Sequence, residues 1–146
     1  METQRPERRR RRVAGDASRL PAADLARRIG RIALEQRAED VVLLDLRGIS
    51  AACDFFVIAT GFSEPHLSAI ADEIEETLAG EGVRPWHVEG RQNRKWVLLD
   101  FVDVVAHLFL RDTREYYRLE NLWGEAPRES LEPRGPDAEA HPQEDS

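Results

Sequence analysis

Apolar residues recur along this chain with two periods, and the alternation between them predicts the order of its elements. From Leu20-Pro21 to about Gln36, Leu25, Ile29, Ile32 and Ala33 are spaced three and four apart, with Arg27, Arg28 and Arg31 around the other side. That spacing predicts an amphipathic helix with Pro21 in its first turn. Val41 to Leu46, VVLLDL, predicts an inner strand ended by Arg47-Gly48, and Asp54 to Thr60, DFFVIAT, a second buried strand. Gly61-Phe62-Ser63 then leads into a helix: Ser63 is a good N-cap, and Glu64 and Pro65 suit the first turn. Leu67, Ile70, Ala71, Ile74 and Leu78 form its buried stripe, Asp72, Glu73, Glu75 and Glu76 an acidic outer face, and Gly80 and Gly82 its stop. A third strand is expected over Val83 to Glu89. After the next apolar block, Thr113 to Trp123 predicts a short closing helix N-capped by Asp112.

The densest apolar block is Lys95 to Leu110, KWVLLDFVDVVAHLFL, interrupted at its middle by Asp100 and Asp103. Val, Phe and Trp favour strand and the acids favour a turn, so two strands are expected, about Lys95 to Asp100 and Val104 to Leu110, folded back on each other. With Phe101 and Val102 as the loop, Asp100 lies opposite Asp103, Leu98 opposite Val105, and Trp96 opposite His107. One face then shows Trp96, Leu98, Val105 and His107 with two carboxylates at its rim. Facing like charges cost up to about 1 kcal/mol, which a partner's cation would relieve. Phe-Val is a poor two-residue loop, because neither residue readily accepts positive φ. The plainer alternative is two core strands joined by a polar turn.

The order α-β-β-α-β-β-β-α predicts an α/β (α+β two-layer) domain: a mixed sheet of about five strands with helices mainly on one face. Residues 1–19 are polar and Arg-rich and residues 125–146 are rich in Pro, Glu and Asp; both are expected as disordered tails around a domain spanning 20–124.

Charge narrows the partners. The net charge is −7. It splits into +4 over 1–19 (seven Arg, three acids), −6 over 20–124 (twelve bases, eighteen acids) and −5 over 125–146 (seven acids, two Arg). A domain of that sign suits a basic protein better than bare nucleic acid. Arg8 to Arg12 are the exception, an arm able to touch RNA phosphates once the domain is docked. No apolar run is long enough to span a bilayer, Arg8 to Arg12 precede no signal-peptide core, and Cys53 is the lone cysteine. These features fit a cytoplasmic protein that forms no internal disulfide, with Cys53 as a buried small hydrophobe.

Catalytic chemistry finds little support in the residues. A strand, a Gly-x-Ser turn and a helix resemble the triphosphate cradle of nucleotidyltransferases. Those enzymes also need clustered carboxylates for metal. No Asp-x-Asp follows Gly61-Phe62-Ser63, the next strand offers only Glu89, and Asp100 and Asp103 belong to a turn. The four histidines, His66, His87, His107 and His141, lack metal-ligand spacing. The residues alone therefore predict an acidic domain without catalytic, metal or cofactor residues. Two alternatives stay open: a nucleotide-binding enzyme, and a structural domain that pairs with itself through the hairpin face.

Four segments in series carry a resemblance: DFFVIATGFSEPHLSAIADEIEETL, GVRPWHVEG, WVLLDFVDVVAHLFL and REYYRLENLWGEAP. Together they resemble the Iojap family of ribosomal silencing factors over about Leu25 to Pro127. The resemblance implies a nucleotidyltransferase-like core without catalytic acids and a translation repressor rather than an enzyme. It also implies binding to the large ribosomal subunit through its interface protein L-fourteen. By the same resemblance it would there block joining of the small subunit when nutrients are scarce. The partner-binding residues expected are Trp96, Leu98, Asp100, Phe101, Asp103, Val105 and His107. One departure stands out: relatives often carry Tyr-Gly-Asp in the hairpin turn where this chain has Phe101-Val102-Asp103.

Overall fold

A computed structural model describes residues 20–133. It contains helices α1 (Ala22–Glu35), α2 (Glu64–Gly80), α3 (Arg111–Tyr117) and α4 (Leu119–Leu122), and strands β1 (Glu39–Asp45), β2 (Phe55–Gly61), β3 (His87–Glu89), β4 (Trp96–Asp100), β5 (Val104–Leu110) and β6 (Arg128–Leu131). The strands form one mixed sheet in the order β3-β4-β5-β2-β1-β6. Only the central β2–β5 pair is parallel.

Alternation along the strands divides the core in two. Val41, Leu43, Val57, Ala59, Val97, Leu99, Ala106 and Leu108 face α1 and α2 in the larger cluster. Val42, Leu44, Ile58 and Phe109 face the other way, beneath Leu119 and Ala126, with Phe56, Trp96, Val105 and Trp123 packed at the margin. The mixed sheet with its long helices on one face is the expected α+β architecture. Its strand count is six rather than five. Residues 128–131, expected within the acidic tail, pair antiparallel with β1 and bury Leu131 against α1. The rest of that tail and the Arg-rich segment 1–19, including Arg8 to Arg12, lie outside the described residues.

Local signals placed α2 well. The Ser63 side chain accepts the His66 N–H as expected of an N-cap. At the other end, the N–H groups of Gly82 and Val83 donate to Ala79 O and Leu78 O, and Gly82 adopts φ +85°. This cap buries Val83 and removes it from the expected third strand. That strand shrinks to residues 87–89, leaving Trp86 61% exposed. The closing helix is likewise not continuous. It breaks at Arg118, which is left-handed at φ 46°, and α3 is capped by Leu110 without a side-chain bond, so Asp112 is not its N-cap.

The β4–β5 register differs from expectation by two residues. Trp96 pairs with Phe109, Leu98 with His107 and Asp100 with Val105. The turn is Val102-Asp103, and Phe101 N–H donates to Val104 O across it at 2.8 Å. Three interactions favour this register. Phe101 is buried in the helix-side core, worth about 1.5–3 kcal/mol for a large apolar side chain. The Asp100 carboxylate accepts the Val102 N–H at 2.7 Å. Asp103 O accepts the N–H groups of Asp54 and Phe55, tying the turn to β2. Asp100 and Asp103 are therefore not a facing pair.

The cost falls on Val102, held at φ +79°, where a β-branched side chain is strained. Val102→Gly is expected to stabilise the fold by about 1 kcal/mol, the released strain outweighing glycine's greater unfolded-state entropy. Urea denaturation should show a higher midpoint at unchanged slope. A lower midpoint would mean that the valine is not strained.

Candidate docking surface

α1 and α2 cover one sheet face, whereas the second is covered only in part, by α3, α4 and the turn that follows them. A strip of Phe56, Trp96, Leu98 and Val105 is left half-buried there. Alternation puts Trp96, Leu98 and Asp100 on this face of β4, and pairing sets Phe109, His107 and Val105 beside them on β5. Gly90 fixes where β4 starts. It has φ +87°, and a Cβ there would lie 1.9 Å from the Trp96 carbonyl oxygen.

Trp96 is held on three sides. Its ring centroid lies 4.8 Å from that of Phe109 and 4.9 Å from that of Tyr117. Its indole Nε1–H donates to His107 Nδ1 at 3.1 Å. That bond leaves the proton of a neutral imidazole on Nε2, which is buried without a hydrogen-bond partner. Phe56 packs against the same imidazole edge-on, centroids 4.4 Å apart. Burial pushes His107 down from 6.5 to about 4, so the ring is neutral at physiological pH.

Of the residues expected to meet a partner, Trp96, Leu98 and Val105 share the half-buried strip, and Asp100 lies at its end with one carboxylate oxygen engaged in the turn. The other three are placed differently. Phe101 points into the helix-side core, Asp103 is 3% exposed, and His107 lies beneath Trp96 and Phe56. Phe101 and Asp103 follow from the shifted register, and His107 supports the strip instead of presenting itself. Tyr117, Tyr116, Phe56 and Trp123 were not anticipated on this side. The available signal was the number of aromatics in Thr113 to Trp123, more than one short helix can bury.

The segment that resembles a triphosphate cradle is engaged internally. Phe62 N–H donates to His66 Nδ1 at 2.8 Å, His66 Nε2–H donates to Gln36 O at 2.7 Å, and the Phe62 ring stacks on His66. Among the described residues no three His, Cys, Asp or Glu side chains are grouped to hold a metal ion, and no helix is long and apolar enough to cross a membrane.

A family model described as "Ribosomal silencing factor during starvation" matches residues 19–146. The chain belongs to this ribosomal silencing factor family. Ribosomal silencing factor RsfS of Halalkalibacterium halodurans is 45% identical over 98 residues, covering 67% of this chain and 84% of that protein. RsfS of Bacillus subtilis is 44% identical over 98 residues, covering 67% and 83%. A crystal structure from Chromobacterium violaceum matches with a TM-score of 0.70 at 28% identity, covering 72% of this chain and 88% of that one. The relatives are named as silencing factors; in this chain the strip offers apolar area with an acid, Asp100, at its margin.

Proposed function

We propose that this chain represses translation by docking on the large ribosomal subunit through its interface protein L-fourteen, blocking the small subunit from joining when nutrients are scarce. The observation that carries the proposal is the Trp96-Leu98-Val105 strip, half-buried on the sheet face that the long helices leave open, in a chain of the silencing-factor family. Apolar residues already held in place lose little entropy on binding, and Trp in such a setting often dominates an interface. The acidic charge of the domain suits a basic ribosomal protein. Arg8 to Arg12 would contribute salt-dependent contacts to RNA phosphates without sequence preference.

Co-sedimentation with purified large subunits, run beside a subunit-joining assay, tests this. Leu98→Asp places an uncompensated charge in the strip and is expected to weaken binding at least about thirtyfold and to restore joining. Asp100→Asn keeps the acceptor that the turn needs while removing the charge, so a smaller loss is expected. Wild-type binding retained by a folded Leu98→Asp protein would end the proposal. The same half-buried strip also favours pairing with a second copy. Light scattering with and without subunits separates the two, because self-pairing through this face must compete with docking.

A further inference from the structure

Beside the strip, between the start of β4 and α3, lies an open groove of about 650 Å³. Three aromatic rings, Trp96, Tyr116 and Tyr117, line it together with Glu89, Asp112 and Lys95. Tyr116 is 80% and Tyr117 49% exposed, which burial in this chain's core does not account for. Their rings meet at 90° with centroids 4.9 Å apart, and Trp96 stands 4.9 Å from Tyr117, so the three form an aromatic corner whose most exposed ring is that of Tyr116. The corner is well fixed: the imidazole holds Trp96, and α3 is anchored through buried Arg114. Two carboxylates against one ammonium leave the lining net negative.

We propose that this groove receives an arginine side chain of the ribosomal protein partner, its guanidinium stacked on the aromatic corner and facing Glu89 and Asp112. This deepens the docking reading above and rests on it. A guanidinium is planar, weakly hydrated and permanently charged, so it gains both from aromatic faces and from nearby acids. A nucleotide base would also stack there, but its phosphates would meet the two carboxylates. The cation expected at the hairpin acids is thereby relocated, since Asp103 is buried and Asp100 is engaged in the turn.

Two measurements test the groove. With large subunits, the doubly substituted Tyr116→Ala, Asp112→Asn protein is expected to bind about tenfold more weakly than wild type and with a shallower salt dependence. Tyr116→Phe should bind like wild type. Both substituted positions are exposed, so folding should be unaffected. Separately, the full chain is titrated with acetyl-Gly-Arg-Gly-amide, with its citrulline analogue and with a short oligouridylate, following the Trp96 indole N–H resonance by NMR. Movement of that resonance with the arginine peptide alone is expected. Equal responses to arginine and citrulline, a response only to the oligonucleotide, or undiminished subunit binding by the double variant would each overturn the proposal. Should wild type fail to bind subunits, the docking reading falls and the peptide titration still decides the groove.

Discussion

Arg114→Ala is expected to remove about 3–5 kcal/mol of folding stability, the usual penalty for breaking a buried ion pair by deleting one partner. Arg114 is 8% exposed. Its Nη1 donates to Asp40 O at 2.6 Å and to Thr60 Oγ1 at 2.8 Å, while Nε and Nη2 donate to Glu120 Oε2 at 3.1 and 2.7 Å. One side chain thus fastens the irregular start of β1, where Asp40 has φ 49°, to the end of β2 and to α4. Burial pushes the Glu120 carboxyl up, yet the hydrogen bond and charge of Arg114 outweigh it and leave the group below its ordinary range. Truncation would strand that carboxylate, the Asp40 carbonyl and the Thr60 hydroxyl together. Urea denaturation measures the loss. Arg114→Met combined with Glu120→Leu should cost less than Arg114→Ala alone, because no unpaired buried charge remains. A single-variant loss below about 1 kcal/mol would show that water reaches these groups and replaces the arginine. Because Tyr117 on the same helix packs against Trp96, a folded but loosened variant should also bind subunits less well.

Acid is expected to destabilise the fold through His107 by about 3 kcal/mol between pH 6.5 and 4, which is what a downward shift of this size is worth. The sign follows from proton counts. Below 6.5 the unfolded chain takes up a proton at this imidazole, while the native chain resists until about 4. The unfolded state therefore binds more protons throughout that window, and stability rises with pH across it. The cause is burial under Trp96 and Phe56, with no carboxylate bonded to the ring among the described residues to offset it. Stability measured by urea from pH 7.5 to 4 should show this slope in wild type and lose it in His107→Gln. Glutamine can still offer an acceptor to the Trp96 indole. Asp45, Glu81 and Glu120 are all held below their ordinary range, so each contributes stability that disappears as pH falls through its lowered value. Taking the difference between wild type and variant isolates the histidine. Parallel pH profiles would mean that the imidazole is solvated in the native protein.

Elements whose signals are local were legible in the residues alone. The three-and-four spacing of Leu25 to Ala33 and of Leu67 to Leu78 became α1 and α2, and Ser63 capped α2, because helix periodicity and capping involve residues within a turn or two of each other. Placing Trp96, Leu98, Val105 and His107 on one sheet face was also legible, even with the wrong register. A slip of two residues leaves every side chain on its original face, since strand alternation has period two. The four matched segments pointed to the family for a similar reason: their order along the chain can be compared without knowing the fold.

What lies opposite each residue depended on long-range packing. The register of β4 on β5 turned on burying Phe101 and on the Asp103 carbonyl meeting β2, contacts made by residues some fifty positions apart in the chain. β6 was hidden because Arg-Glu-Ser-Leu buries one side chain and is held by backbone hydrogen bonds, which leave no mark on composition. Arg114 looks like one more surface arginine until Asp40, Thr60 and Glu120 are brought around it. Tyr116 and Tyr117 read as closing-helix residues until the fold sets the Tyr117 ring beside Trp96, with the Tyr116 ring against it. Periodicity reports which way a side chain points, whereas its function depends on what the fold sets in front of it.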